Sequence, residues 1–256
     1  MATIRQLRTE KEPAGFFDRA DFDVFREEWI ADAEYDEARL RVKEKLLALH
    51  DEIYPRMREL DWDLYPTGRR QSLVSPARVS EQNPKVERLI LPYGKPELSR
   101  QMMRKHFGEP FRDLRSNALL AVTLEQNGVT TELVIADSAW VDAVNFRAKA
   151  LGGSPDKQHL RWLASNLNDF VITFETKGES VYRAQAARWV NLGVLDNALE
   201  KFEPRVHTLR VRAAVPPDDK NLARDRLPAF MIDRFAQLFP LYDYLAWSPK
   251  NNYVRR

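Results

Sequence analysis

The residues of this chain with the clearest capacity for chemistry are cationic. Arg69, Arg70, Arg78 and Lys85 fall in a stretch, 65–85, that also holds Pro66, Gly68, Pro76 and Pro84 and shows neither helical nor strand periodicity. Forked guanidiniums match the paired oxygens of phosphate and carboxylate groups. A loop of about twenty residues inside a compact domain is usually functional or disordered. The stretch therefore reads as a basic loop, with Arg69, Arg70, Arg78 and Lys85 as the ligand-binding residues for an anionic small molecule. Lys220, Arg224 and Arg226 of a later loop would add to it if the fold brought the two loops together.

A second constellation is Glu175-x-Lys177 at the end of an expected strand. In metal-dependent nucleases such carboxylates hold Mg²⁺ and the lysine orients or activates water. Asp169 and Asp137 are the acids available to complete it. The fit is poor, because Lys177 falls in a hairpin turn and two helices separate Asp137 from Glu175. A three-residue pattern also recurs by chance.

Other chemistries lose support at once. The chain has no cysteine, so disulfides, thiolate catalysis and cysteine-ligated zinc or iron–sulfur sites are out. The four histidines, His50, His106, His159 and His207, have no partner at helical spacing, and no metal ligands are assigned. No spaced glycine fingerprint, Gly-Lys-Ser/Thr sequence or Gly-x-Ser-x-Gly elbow occurs, so dinucleotide, P-loop and α/β-hydrolase chemistry are disfavoured and no cofactor can be named. Lys and Arg total 40 against 38 Asp and Glu, a formal net charge of +2, which indicates no global attraction to nucleic acid.

The elements that must position these residues are readable from periodicity. Val42, Leu46, Leu49, Ile53, Met57, Leu60 and Leu64 make one helical stripe, and Leu227, Met231, Phe235, Leu238, Tyr242 and Leu245 make another. Pro55 and Pro240 should kink or break them. Val86 to Tyr93 reads as a strand, and Pro96 opens a helix that Gly108 closes. Asn127-Gly128 suits a type I′ turn with paired positions summing to 255, so that Leu120, Val122 and Leu124 face Ile135, Leu133 and Thr131. Helices are expected over 139–151 and 156–166. The first of these carries Trp140, Asp142, Asn145 and Arg147, whose polar members could line a pocket, although Asp142 in the first turn also simply favours the helix dipole. A second hairpin, 170–176 with 179–184, turns at Lys177-Gly178. Residues 184–202 look helical. Arg205 to Val215 alternates, with Leu209, Val211, Ala213 and Val215 on one face.

Two hairpins argue for an α+β fold: a mainly antiparallel sheet of two hairpins plus single strands, packed against several long helices. Residues 1–19 read as a loose arm and 20–256 as one globular domain. No apolar run suits a signal or a membrane span, and the absence of cysteine fits a reducing cytoplasm. The functional expectation is a soluble protein that binds a phosphate- or carboxylate-bearing small molecule through the basic loop. One alternative is a nucleic-acid-binding protein or Mg-dependent nuclease. The other is a structural module that homodimerises through the C-terminal aromatic helix, which is rich in Phe230, Phe235, Phe239, Tyr242 and Tyr244.

Overall fold

The structure is a computed structural model that describes residues 15–66, 72–80, 83–108 and 114–254. Its helices are α1 (Arg19–Asp23), α2 (Asp36–Glu59), α3 (Glu97–Phe107), α4 (Trp140–Gly152), α5 (Ser154–Ser165), α6 (Leu192–Lys201) and α7 (Leu227–Leu245). Its strands are β1 (Tyr65–Pro66), β2 (Ser75–Ser80), β3 (Asn83–Gly94), β4 (Leu119–Glu125), β5 (Gly128–Ile135), β6 (Val171–Thr176), β7 (Glu179–Gln185) and β8 (Thr208–Val215). The expected α+β class is thus observed. All strand pairs are antiparallel, in the order β1-β3-β4-β5-β8-β6-β7, with β2 also paired to β3.

The long helices form for the reason their stripes suggest. All six stripe residues of α7 are buried, and so are Val42, Leu46, Leu49, Ile53 and Met57 of α2. Neither proline ends its helix; Pro55 and Pro240 both lie inside. What ends α2 is a turn at Asp61, held at φ 53°. There the Trp62 N–H donates to the Met57 carbonyl and the Asp61 N–H to the Arg58 carbonyl, the bonding of a Schellman cap with aspartate in place of glycine. The stripe therefore stops at Met57. Leu60 is exposed, and Leu64 is buried beyond the helix.

Three other expectations change. Residues 75–80 and 83–85 are not loop: β2 pairs along β3, which begins at Asn83 rather than Val86. Pro76 hides β2 from a periodicity reading, yet among the described strands β2 has only β3 beside it, an edge position where a strand can lack a donor. Residues 184–202 are not one helix. Strand β7 runs to Gln185, a 3₁₀ turn covers Ala186–Val190, and the Asn191 side chain caps α6 by accepting from the Gly193 and Val194 N–H groups. The first hairpin is also shifted by two residues. Glu125 pairs with Gly128 and Leu120 with Leu133, so the turn residues are Gln126 and Asn127.

The cause of that shift lies in the neighbouring strand. A Cβ on Gly128, at φ 133°, would stand 1.9 Å from the Val215 carbonyl oxygen of β8. Gly128 thus serves the close approach of β8, and neither Gln126 nor Asn127 has the positive φ a type I′ turn demands. The second hairpin does use such a turn, with Lys177 at φ 50° and Gly178 at φ 87°.

One face of the sheet carries Leu91, Tyr93, Leu120, Val122, Leu133, Ile172, Phe174, Leu209 and Val211 into a single core with α2, α4 and α7. On the opposite face Leu119, Ala121 and Val134, with Ile90, form a small cluster that contains no helical residue. Phe16 and Phe17, within the expected arm, are buried in the main core, where the Phe16 N–H donates to the Leu222 carbonyl. Among the described residues no helix is long and apolar enough to cross a membrane.

Because Gly128 is fixed by contact and Gly178 only by conformation, their alanine variants should differ. Gly178→Ala meets nothing within 4 Å and should cost about 1 kcal/mol for the left-handed conformation. Gly128→Ala must displace β8 and should cost about 3 kcal/mol or more. Urea denaturation of the two variants measures the difference.

Candidate functional site

Arg69 and Arg70 lie outside the described residues, as does the side chain of Arg78 on β2. Lys85 is half-buried on β3 and lines a cleft of about 440 Å³. The cleft lies between β3, the β4–β5 turn and the segment 25–30 that precedes α2. That segment is fixed by the backbone bond from Val86 N–H to the Ile30 carbonyl, 2.9 Å, and by buried Arg39, which donates to the carbonyls of Trp29 and Asp32. Around Lys85 the charges are mixed: Arg88 is the second cation, and Glu27, Glu87 and Glu125 are carboxylates. In the later loop the Arg224 guanidinium stands over the Phe16 ring.

Two acids of the nuclease pattern, Glu175 and Asp169, are each paired with an arginine of their own. Glu175 accepts from Arg210 Nε at 2.9 Å and from the Thr173 hydroxyl at 2.9 Å. Arg210 also donates to buried Glu132 at 2.8 Å, which accepts from the Thr123 hydroxyl. Lys177 sits in the exposed turn and Asp169 pairs with Arg234 at 3.0 Å. The Glu132–Arg210–Glu175 belt crosses β5, β8 and β6 on the face without helices. Among the described residues no group of three or more His, Cys, Asp or Glu side chains could hold a metal ion. The C-terminal aromatics Phe235, Tyr242, Tyr244 and Trp247 are buried within the chain.

A more one-sided electrostatic arrangement lies elsewhere. An open groove of about 690 Å³ runs between α5 and the 3₁₀ turn that leads into α6. Its only charged lining residues are Arg161 and Arg188, beside Val190, Leu192 and Val194. Among the described residues neither arginine is in an ion pair. Arg161 is held by one bond, from Nε to the Val190 carbonyl at 2.7 Å, leaving four of its five N–H donors for other use. Val190 and Leu192 are 41% and 45% exposed, high for aliphatic side chains. Trp189, next to Arg188, is buried and donates from Nε1 to the Tyr182 hydroxyl at 3.0 Å.

Asp142, in the first turn of α4, is fully buried. Its Oδ1 accepts from Lys95 Nζ at 2.5 Å and from the Trp247 N–H at 2.6 Å; its Oδ2 accepts from the Ala118 N–H at 2.6 Å. Burial pulls the Lys95 ammonium below the usual lysine range, and Asp142 pulls it partly back. Further along α4, Asn145 bonds the Leu245 carbonyl and the Tyr253 N–H, and Lys149 reaches the Tyr244 carbonyl and Asn251. Lys95, Asp142 and Asn145 are buried and Lys149 is half-buried; together they serve as a scaffold for the C-terminal segment and line neither the cleft nor the groove. The histidines are likewise engaged: His50 Nδ1 lies 2.9 Å from the Tyr93 hydroxyl, and His207 Nδ1 accepts from the Glu203 N–H.

Sequence reading missed Lys95, Arg161 and Arg188. Lys95, beside Pro96 at the end of a strand, resembles a solvated loop lysine; only the tertiary fold brings Asp142 to it. The arginines sit on separate elements and share no motif. Compared with known proteins, the chain matches no family model and no curated sequence.

Two predictions follow from the buried groups. Asp142→Ala strands the Lys95 ammonium and two backbone N–H groups and should destabilise the fold by about 3–5 kcal/mol in urea denaturation. The Tyr242 hydroxyl, by contrast, is buried with no hydrogen-bond partner among the described residues. Burial, then the charges of Asp142, Asp63 and Asp243, push its pKa well above the usual tyrosine value. A raised folded pKa means that the unfolded chain loses this proton first. The stabilising contribution is present below about pH 10 and is lost as pH rises past it. Tyr242→Phe should stay within about 1 kcal/mol of the parent at pH 7 and lose less stability between pH 9 and pH 11.

Proposed function

We propose that this protein binds an anionic ligand with an apolar body, a carboxylate or phosphate carried on an aliphatic chain, in the groove of Arg161 and Arg188. The observation that carries the reading is the groove's charge pattern. Its two guanidiniums have no carboxylate partner among the described residues and stand beside exposed Val190 and Leu192. Guanidinium forks suit a two-oxygen anion, and the aliphatic wall favours a ligand with an apolar portion. The anion expected from the sequence is kept, while its binding residues move from the basic stretch to α5 and the 3₁₀ turn. The setting we infer is the reducing cytoplasm, in keeping with a cysteine-free chain.

Titration calorimetry with octanoate and octyl phosphate tests this, with Trp189 fluorescence as a second readout. The intact protein should bind at least one of them saturably, and 1-octanol at least tenfold more weakly. Arg161→Ala/Arg188→Ala should lose tenfold or more, since one charge-assisted hydrogen bond is worth about 1.5–3 kcal/mol. Arg69→Ala/Arg70→Ala should bind as the parent does. Loss in that variant alone would move the site to the basic stretch, and no saturable binding by the parent would remove the reading altogether.

A further inference from the structure

The cleft beside Lys85 has a charge pattern that no simple anion would match. Two cations, Lys85 and Arg88, share its walls with the carboxylates of Glu27, Glu87 and Glu125. Phe25 and Ile30 give an apolar side. At about 440 Å³ the cleft falls within the range of small-molecule sites.

Arg88 is the residue whose bonding is incomplete. It lies directly across from Glu125 in the β3–β4 register, yet their closest atoms, Nη1 and Oε2, are 4.0 Å apart. That is a Coulombic contact without a hydrogen bond. The Arg88 Nε is buried and has no acceptor among the described residues. A donor withdrawn from water without a partner costs free energy that an arriving acceptor restores. Glu125 is nearly as idle, accepting only a 3.5 Å bond from the Thr130 hydroxyl. A cation and a carboxylate with unused hydrogen-bonding capacity thus stand side by side on adjacent strands, close to two further carboxylates.

We propose that this cleft binds an α-amino-acid-type zwitterion, with the ligand's carboxylate on Arg88 and its ammonium on Glu125. Two lining cations against three lining carboxylates leave a net charge of −1, so a zwitterion with an additional cationic group is favoured over a neutral one. The ligand must bring both charges to satisfy both strands. A lone anion meets three carboxylates, and a lone cation leaves the Arg88 donor unpaired.

The test is a ligand series on the intact protein, read by saturation-transfer NMR and calorimetry with L-lysine, hexanoate and 1,5-diaminopentane. L-Lysine should saturate at about millimolar concentration or below, and both single-charge analogues should bind at least tenfold more weakly. Arg88→Gln and Glu125→Gln, each checked for folding by circular dichroism, should each weaken lysine at least tenfold, while Arg161→Ala/Arg188→Ala leaves it unchanged. Three outcomes overturn the proposal: no saturable lysine binding, diaminopentane binding as tightly as lysine, or undiminished lysine binding by folded Arg88→Gln. The ligand series needs no variant, so it decides even if a substitution unfolds the chain.

Discussion

One buried carboxylate joins the parts of this fold that the chain itself leaves far apart. Asp142 receives a lysine from the β3–α3 junction, a backbone N–H from the entry to β4 and another from the turn after α7. An ionised carboxylate without water needs several donors, and these three supply them. Through them the helix that follows the first hairpin, the end of the longest strand and the C-terminal segment are fixed to one point. Trp247, set by this point, closes a small cluster with Met103 and Val141. The tail that follows is then carried across α4 by Asn145, Lys149 and Asn251. Replacing the lysine and carboxylate by apolar residues of similar volume would leave the two N–H groups without an acceptor, which is a physical reason for a buried ion pair here.

The sheet treats its two faces differently. The helix-packed face is built from alternate apolar residues of each strand. The other is threaded by the Glu132–Arg210–Glu175 belt, whose threonine donors occupy remaining carboxylate capacity. Burial should lower the arginine's pKa, but the flanking carboxylates outweigh it and hold it above its ordinary value. Paired charges of this kind fix the lateral positions of strands β5, β8 and β6, whereas apolar contacts alone would tolerate slippage. The two inferred binding places avoid this belt. One uses arginines with no carboxylate partner among the described residues, the other an arginine whose cross-strand partner stays just too far away.

Much of the architecture was legible because it rests on local rules. The stripe of α7, the alternation of β8, the Lys177-Gly178 turn and the Gly108 helix stop are each decided by neighbours within a few residues. Errors arose where a distant segment decides. Asn127-Gly128 is a strong hairpin signal on its own, but β8 approaches so closely that the glycine is needed one position later than the turn would place it. Pro76 obscured β2 because a strand's tolerance of proline depends on whether it lies at an edge, which is a property of the whole sheet. The candidate sites were harder still. Charge density along the chain draws attention to 65–85, part of which lies outside the described residues, whereas Arg161 and Arg188 stand out only by having no carboxylate partner among the described residues, and that absence cannot be read along a line of residues.

The position of β8 bears on how the molecule comes to be made. Strand β8 lies between β5 and β6, although it follows both in the chain. During synthesis from the N-terminus, the hairpin of β4 and β5 and the hairpin of β6 and β7 are both complete before the strand that joins them has left the ribosome. Until then β5 and β6 each hold a row of unpaired backbone groups toward a neighbour that does not yet exist. Joining them closes loops of many residues, a slow step that local hairpin formation does not help. Helix α7, which covers the core face of β4 and β5, arrives later still. Between the end of β6 at Thr176 and the arrival of β8 at Thr208–Val215 the nascent chain thus carries two open strand edges and an uncovered apolar face, and this is the interval in which it is most exposed to aggregation and most in need of a chaperone.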